Sequence, residues 1–132
     1  MKFNKVKLVV ATALAVTLFT GVSTSVNANI SFCGSLSHSN PVLGNPRATH
    51  NSRTCRTGTT TPVNVTQIRA KVDANNNGTS TTTTGFRTLS STSHASSGQL
   101  IASTSRVTFT GTGGYRTSTN GTWVTSTATA SY

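Results

Sequence analysis

The residues best suited to chemistry in this chain are cations and a single indole. Trp123 is the only tryptophan among 132 residues, and Arg116 precedes it across an Asn120-Gly121 pair. Asn-Gly suits a two-residue hairpin turn, because both residues tolerate positive φ. That turn predicts pairing of Thr119 with Thr122, Ser118 with Trp123, Thr117 with Val124 and Arg116 with Thr125. Tyr115, Val124, Ala128, Ala130 and Tyr132 then share a core face, and Arg116, Trp123, Thr125 and Thr127 share the wet one. An indole at the surface beside a guanidinium and hydroxyls is the chemistry for stacking on a sugar ring or resting at a lipid headgroup. The competing structural role is an indole folded over its hairpin or covering an open end of the core.

Two further arginines are candidates for the same cationic surface. Gly85-Phe86-Arg87-Thr88 and Gly114-Tyr115-Arg116-Thr117 share a Gly-aromatic-Arg-Thr pattern, which brings in Arg87. Arg106 has outward parity beside Val107 and Phe109. The binding candidates are therefore Trp123, Arg116, Arg87, Arg106 and Thr125.

Acid-base catalysis has little to draw on. The chain holds one acidic residue, Asp73, so paired-carboxylate hydrolysis cannot be built from its side chains. A Ser-His-Asp triad would need Asp73, which sits where a turn begins, and no G-x-S-x-G elbow presents a serine. His38, His50 and His94 lack ligand-like spacing, and no Walker or dinucleotide fingerprint occurs. The expectation is a non-enzyme with no cofactor and no metal. Asn29, Asn64, Asn77 and Asn120 begin glycosylation-acceptor triplets, which an Asn- and Thr-rich chain produces easily by chance.

The amino-terminal 28 residues read as a cleaved export signal. Lys2, Lys5 and Lys7 precede an apolar run from Leu8 to Phe19, and Val26-Asn27-Ala28 places small residues where a signal peptidase cuts. The apolar run is too short to span a bilayer, so no transmembrane segment is expected after cleavage. The style of the signal is bacterial, and the expected location is extracellular, with cell-wall association one version of it. Losing the three lysines takes the formal charge from +10 to +7. Such an excess favours anionic partners, namely a cell-surface polymer or lipid headgroups. Specific nucleic-acid binding is not expected, because the arginines are dispersed and no reader motif is present.

Cys33 and Cys55 are the only cysteines. In an exported chain the pair predicts a disulfide closing a loop of roughly twenty residues. It ties down residues 29–62, which read as irregular, with one or two short strands among Pro, Gly, Ser, Thr and Asn.

Residues 63–132 read as an antiparallel β core that forms one domain with 29–62. Ile68, Ala70 and Val72 alternate with Gln67, Arg69 and Lys71, the period of a strand with one wet face. Val63 and Val65 fall out of phase, which predicts a bulge near Thr66 or a segment buried on both faces. Asn77-Gly78 predicts a type I′ turn into a Thr/Ser strand over 79–84. Residues 86–93 and 99–110 read as further strands, Gly111 to Gly114 as a break, and 115–132 as a last hairpin. No helical periodicity survives, and the Thr, Ser and Asn content opposes helix. The fold class is all-β, a small single-domain antiparallel β-sandwich, with a barrel the lesser option. Phe32, Leu36, Val63, Ile68, Val72, Phe86, Leu100, Ile101, Val107, Phe109, Tyr115, Val124 and Tyr132 form the expected core. The Thr-x-Thr spacing of flat ice-binding faces is set aside, because Thr81 to Thr84 lacks it and arginines interrupt the surface.

These features give a secreted, cationic, non-enzymatic β-domain that binds an anionic envelope or glycan surface. The alternatives are an antibacterial or toxin-like protein acting on a competitor's envelope, or a matrix protein whose Thr-rich strands self-associate.

Overall fold

Alternation of small apolar and polar residues makes strands, and burial of their apolar edge makes two sheets. The structure is a computed structural model that describes residues 15–18 and 29–132. In chain order the strands are β1 (Ala15–Leu18), β2 (Ile30–Phe32), β3 (Ser35–Ser39), β4 (Arg47–Arg56), β5 (Val65–Asn76), β6 (Ser80–Thr83), β7 (Arg87–Thr92), β8 (His94–Ile101), β9 (Val107–Arg116) and β10 (Val124–Ser131). The first sheet runs β1-β3-β4-β2, with β8 on β4; the second runs β10-β9-β5-β6, with β7 also on β5. All pairings are antiparallel. The two sheets pack face to face without closing, so the chain is an all-β sandwich rather than a barrel. No helix occurs among the described residues.

Of the segment read as an export signal, only β1 is described, with its backbone antiparallel to Ser35–His38. The rest of residues 1–28 lies outside the described residues.

Two apolar clusters fill the sandwich. Leu36, Val72, Val107 and Phe109 anchor one, and Ile30, Val65, Ile68, Tyr115 and Val124 anchor the other. Alanines at 48, 70, 74, 95, 128 and 130 supply much of the remainder. A polar waist lies on the buried faces of the same strands. His50 and Ser52 of β4, and Ser126 of β10, are buried there. A Cβ on Gly111 would come within 2.3 Å of His50 Nδ1, and one on Gly113 within 2.8 Å of Ser52 Oγ. The glycines therefore leave the space that the imidazole and hydroxyl fill.

Several expectations need correction. Residues 29–62 are not irregular, since β2, β3 and the ten residues of β4 lie within them. Residues 99–110 are not one strand: β8 ends at Ile101, and a loop holding Arg106 intervenes before Val107. Gly111 to Gly114 does not break the chain, because β9 runs through it to Arg116 and packs against the waist. Phe86 and Ile101 are 43% and 52% exposed and do not join the core. The last hairpin pairs Val124 with Tyr115 and Thr125 with Gly114. Its turn is closed by Gly121 N–H donating to the Ser118 carbonyl at 3.0 Å, so Thr119-Asn120 are its central residues. The register thus slips by two from the expected one, which preserves the faces.

The turn expected at Asn77-Gly78 matches the structure, since both residues have positive φ, 53° and 75°. The bulge expected near Thr66 is absent from the β5–β7 ladder, whose register runs on unchanged from Val65–Thr92 to Gln67–Ser90, although the buried phase of β5 does shift between Val65 and Ile68.

Cys33 and Cys55 are bonded, with Cα atoms 5.9 Å apart and 22 positions of separation. Closing that loop restricts the unfolded chain, so Cys33→Ser with Cys55→Ser should lower unfolding free energy by about 3 kcal/mol. Urea unfolding of the oxidised protein beside this variant measures the difference, and coincident curves would contradict it.

Candidate functional site

The outer face of the second sheet gathers the chain's best-placed cations. Strict alternation along β5 buries Ile68, Ala70, Val72 and Ala74 and turns Gln67, Arg69, Lys71 and Asp73 outward. On β9, Arg116 lies opposite Gln67 and Gly114 opposite Arg69. Gly114 matters because it has no side chain on this face. A Cβ there would stand 3.2 Å from Arg69 Nε and 3.3 Å from the Trp123 ring. The bare backbone is the floor on which both groups rest.

The result is a row of alternating cations and rings. The Arg116 guanidinium carbon lies 4.7 Å from the centroid of Trp123, and that of Arg69 lies 3.9 Å from it. Arg69 also lies 4.1 Å from the Phe86 centroid, with Lys71 Nζ at 5.1 Å from the same ring. Cations are attracted to the electron-rich face of an aromatic ring, so each ring offsets the repulsion between the charges on either side of it. Arg116 Nε donates to Gln67 Oε1 at 2.7 Å, which fixes the outer end of the row. Lys71 Nζ pairs with Asp73 at 2.8 Å at the other end.

Because Asp73 is the only acidic residue in the sequence, no carboxylate side chain remains for Arg69 or Arg116. Partial burial, and then the adjacent Arg116 charge, pull the Arg69 guanidinium below its usual value. It nevertheless remains a cation at neutral pH. Chemically, two guanidiniums held about an indole, with neutral hydroxyls beside them, are groups that can pair with an anion. Among the described residues no three His, Cys, Asp or Glu side chains gather as a metal site would require.

No known protein family, curated protein or solved structure matches this chain. The geometry therefore stands by itself.

Of the five binding candidates, the structure brings Trp123, Arg116 and Thr125 to one place. Thr125 is half-buried on β10 opposite Gly114. Arg87 is not with them. It pairs with Ala70, an inward position, whereas its neighbour Thr88 is the residue opposite Arg69. The Gly-aromatic-Arg-Thr echo does mark the site, but through Phe86 rather than Arg87. Arg106 lies in the loop ahead of β9, at the opposite end of the same sheet from Arg116. Trp123 is half-buried, and the guanidiniums of Arg69 and Arg116 sit over its ring. It works here as a support for arginines rather than an open platform for a sugar.

Arg69, Lys71, Gln67 and Phe86 were not among the candidates. The alternation of 67–72 already places the first three on a wet face. What it cannot supply is the neighbour: only the pairing of β5 with β9 sets Arg69 against Gly114 and Trp123.

Proposed function

We propose that this protein is a secreted, non-enzymatic binding domain whose basic outer face holds an anionic polymer of the cell envelope or a comparable acidic glycan. The observation that carries this reading is the pair of guanidiniums, Arg69 and Arg116, fixed about Trp123 in a chain whose only carboxylate side chain is taken by Lys71. A prearranged pair of cations loses little side-chain freedom on meeting an anion, which favours binding. The formal charge of +7 that remains without Lys2, Lys5 and Lys7 adds long-range attraction towards a polyanionic surface.

The reading is tested by retention of the folded protein on isolated cell walls across a salt series. Retention should fall steeply as salt rises towards 1 M, where screening confines charge interactions to about 3 Å. Arg69→Ala with Arg116→Ala should weaken retention by at least tenfold, about 1.4 kcal/mol. Retention equal at low and high salt, or unchanged in the double variant, would refute the proposal.

A further inference from the structure

The same face carries a second basic place at its far end. A cleft of about 230 Å³ is lined by Asn75, Asn77, Gly78, Arg106, Val107 and Thr108. Its shape is fixed by hydrogen bonds rather than by chance contact. Asn76 is buried, and its Oδ1 accepts from Ser103 N–H at 2.9 Å, which ties the loop before β9 to the end of β5. Asn75 Oδ1 accepts from Gly78 N–H at 2.8 Å and leaves its amide protons for a ligand. Arg106 is exposed, and no carboxylate side chain is left to pair with it.

Between this cleft and the Arg116-Trp123-Arg69 row the surface is neutral and hydroxylated. Thr110 and Thr112 point outward from β9, opposite Thr129 and Thr127 of β10. The Lys71–Asp73 pair cancels its own charge on the adjacent strand. From Arg69 to Asn75 the distance along β5 is about 20 Å, six residues at the rise of an extended strand.

Resting on the binding function proposed above, we infer that the ligand is a linear acidic glycan lying along β5 and β9. One of its carboxylates meets Arg69 and Arg116, a second enters the Arg106 cleft, and its hydroxyls cross the threonine surface between them. Asn carboxamides, a lone guanidinium and a cleft of this size suit one uronate-like sugar residue. A lipid headgroup suits the face less well. Of the four large apolar side chains that stand exposed among the described residues, only Phe86 is on it, and its ring is engaged by Arg69 and Lys71.

Two anchoring points on one ligand make affinity depend on ligand length, since the second contact becomes intramolecular once the chain reaches both. Size-fractionated linear oligouronates, titrated against the folded protein by calorimetry, provide the test. Oligomers longer than about 20 Å should bind on the order of 100-fold more tightly than shorter ones. Arg106→Ala should abolish that step, so that long and short oligomers bind alike through the Arg69–Arg116 row, and Arg106→Lys should keep part of it. Arg106 is exposed, so these variants should retain the fold, and unchanged circular dichroism checks that they do. A smooth, few-fold increase with length, or a step that survives Arg106→Ala, would overturn the two-point site while leaving anion binding by the arginine row in place. Failure of oligouronates of every length to bind would overturn the two-point site, while the wall-retention series judges the arginine row separately.

Discussion

Gly111→Ala is expected to cost the fold about 3 kcal/mol, at the upper end of the usual range for overpacking. The reason is placement rather than propensity. The added methyl would stand 2.3 Å from His50 Nδ1 and 2.8 Å from its Cγ, and His50 is fully buried. Neither partner has room to withdraw, because the imidazole is a rigid ring and Gly111 is held in β9 opposite Val72 and Ala128. Removing the ring should relieve the clash. His50→Ala by itself leaves a cavity and destabilises, but in combination with Gly111→Ala the two losses should fall short of their sum by more than about 1 kcal/mol. Urea unfolding of both single variants and the double variant measures this coupling, and simple additivity would refute the contact.

Acid should weaken the fold through the same imidazole. Burial lowers the pKa of His50 from 6.5 to about 4, since the charged ring would lose its water. The folded state thus favours the neutral form, and the unfolded chain takes up the proton first. Stability from this group is complete above pH 6.5 and drains away as pH falls from 6.5 towards 4. The whole shift corresponds to about 3 kcal/mol. His50→Leu should remove most of the difference in unfolding free energy between pH 7 and pH 4, whatever it does to stability at pH 7. His38 is also held below its usual value by burial, with its ring 2.7 Å from the Tyr132 hydroxyl. His38→Gln is therefore the control, and it should flatten the profile less. An acid-induced loss as large in His50→Leu as in the parent would show that other groups carry it.

Local patterns in the sequence foretell those parts of the fold that depend on neighbours along the chain. Alternation over 67–72 reveals both faces of β5, Asn77-Gly78 reveals its turn, and the paired cysteines reveal their bond. Features that depend on a distant partner are hidden. Two registers of the last hairpin that differ by two residues put Arg116 and Thr125 on the same face, so alternation alone cannot choose between them. Gly111, Gly113 and Gly114 look like an interruption until His50, Ser52, Arg69 and Trp123 are seen to occupy the space they leave. Phe86 and Ile101 look like core by composition, yet one sits beside Arg69 and the other lies opposite Arg47 near the end of β8. For the candidate site, the excess of basic residues and the shared face of Trp123, Arg116 and Thr125 are readable. Arg69, at the centre of the row, was readable as a surface residue but not as the link between two rings.

The bond between Cys33 and Cys55 has a consequence for how the molecule begins. A polypeptide starting at Asn29 would open on β2, only three residues long, and ladders that short fray readily at a free terminus. Cys33 follows Phe32 directly, and its partner stands on β4 opposite Ser31. The covalent link therefore falls beside a ladder of only three pairs and keeps Ile30 and Phe32 tethered next to β4. In a reducing milieu that tether is lost, and lifting of the same ladder would uncover oily surface next to Tyr115.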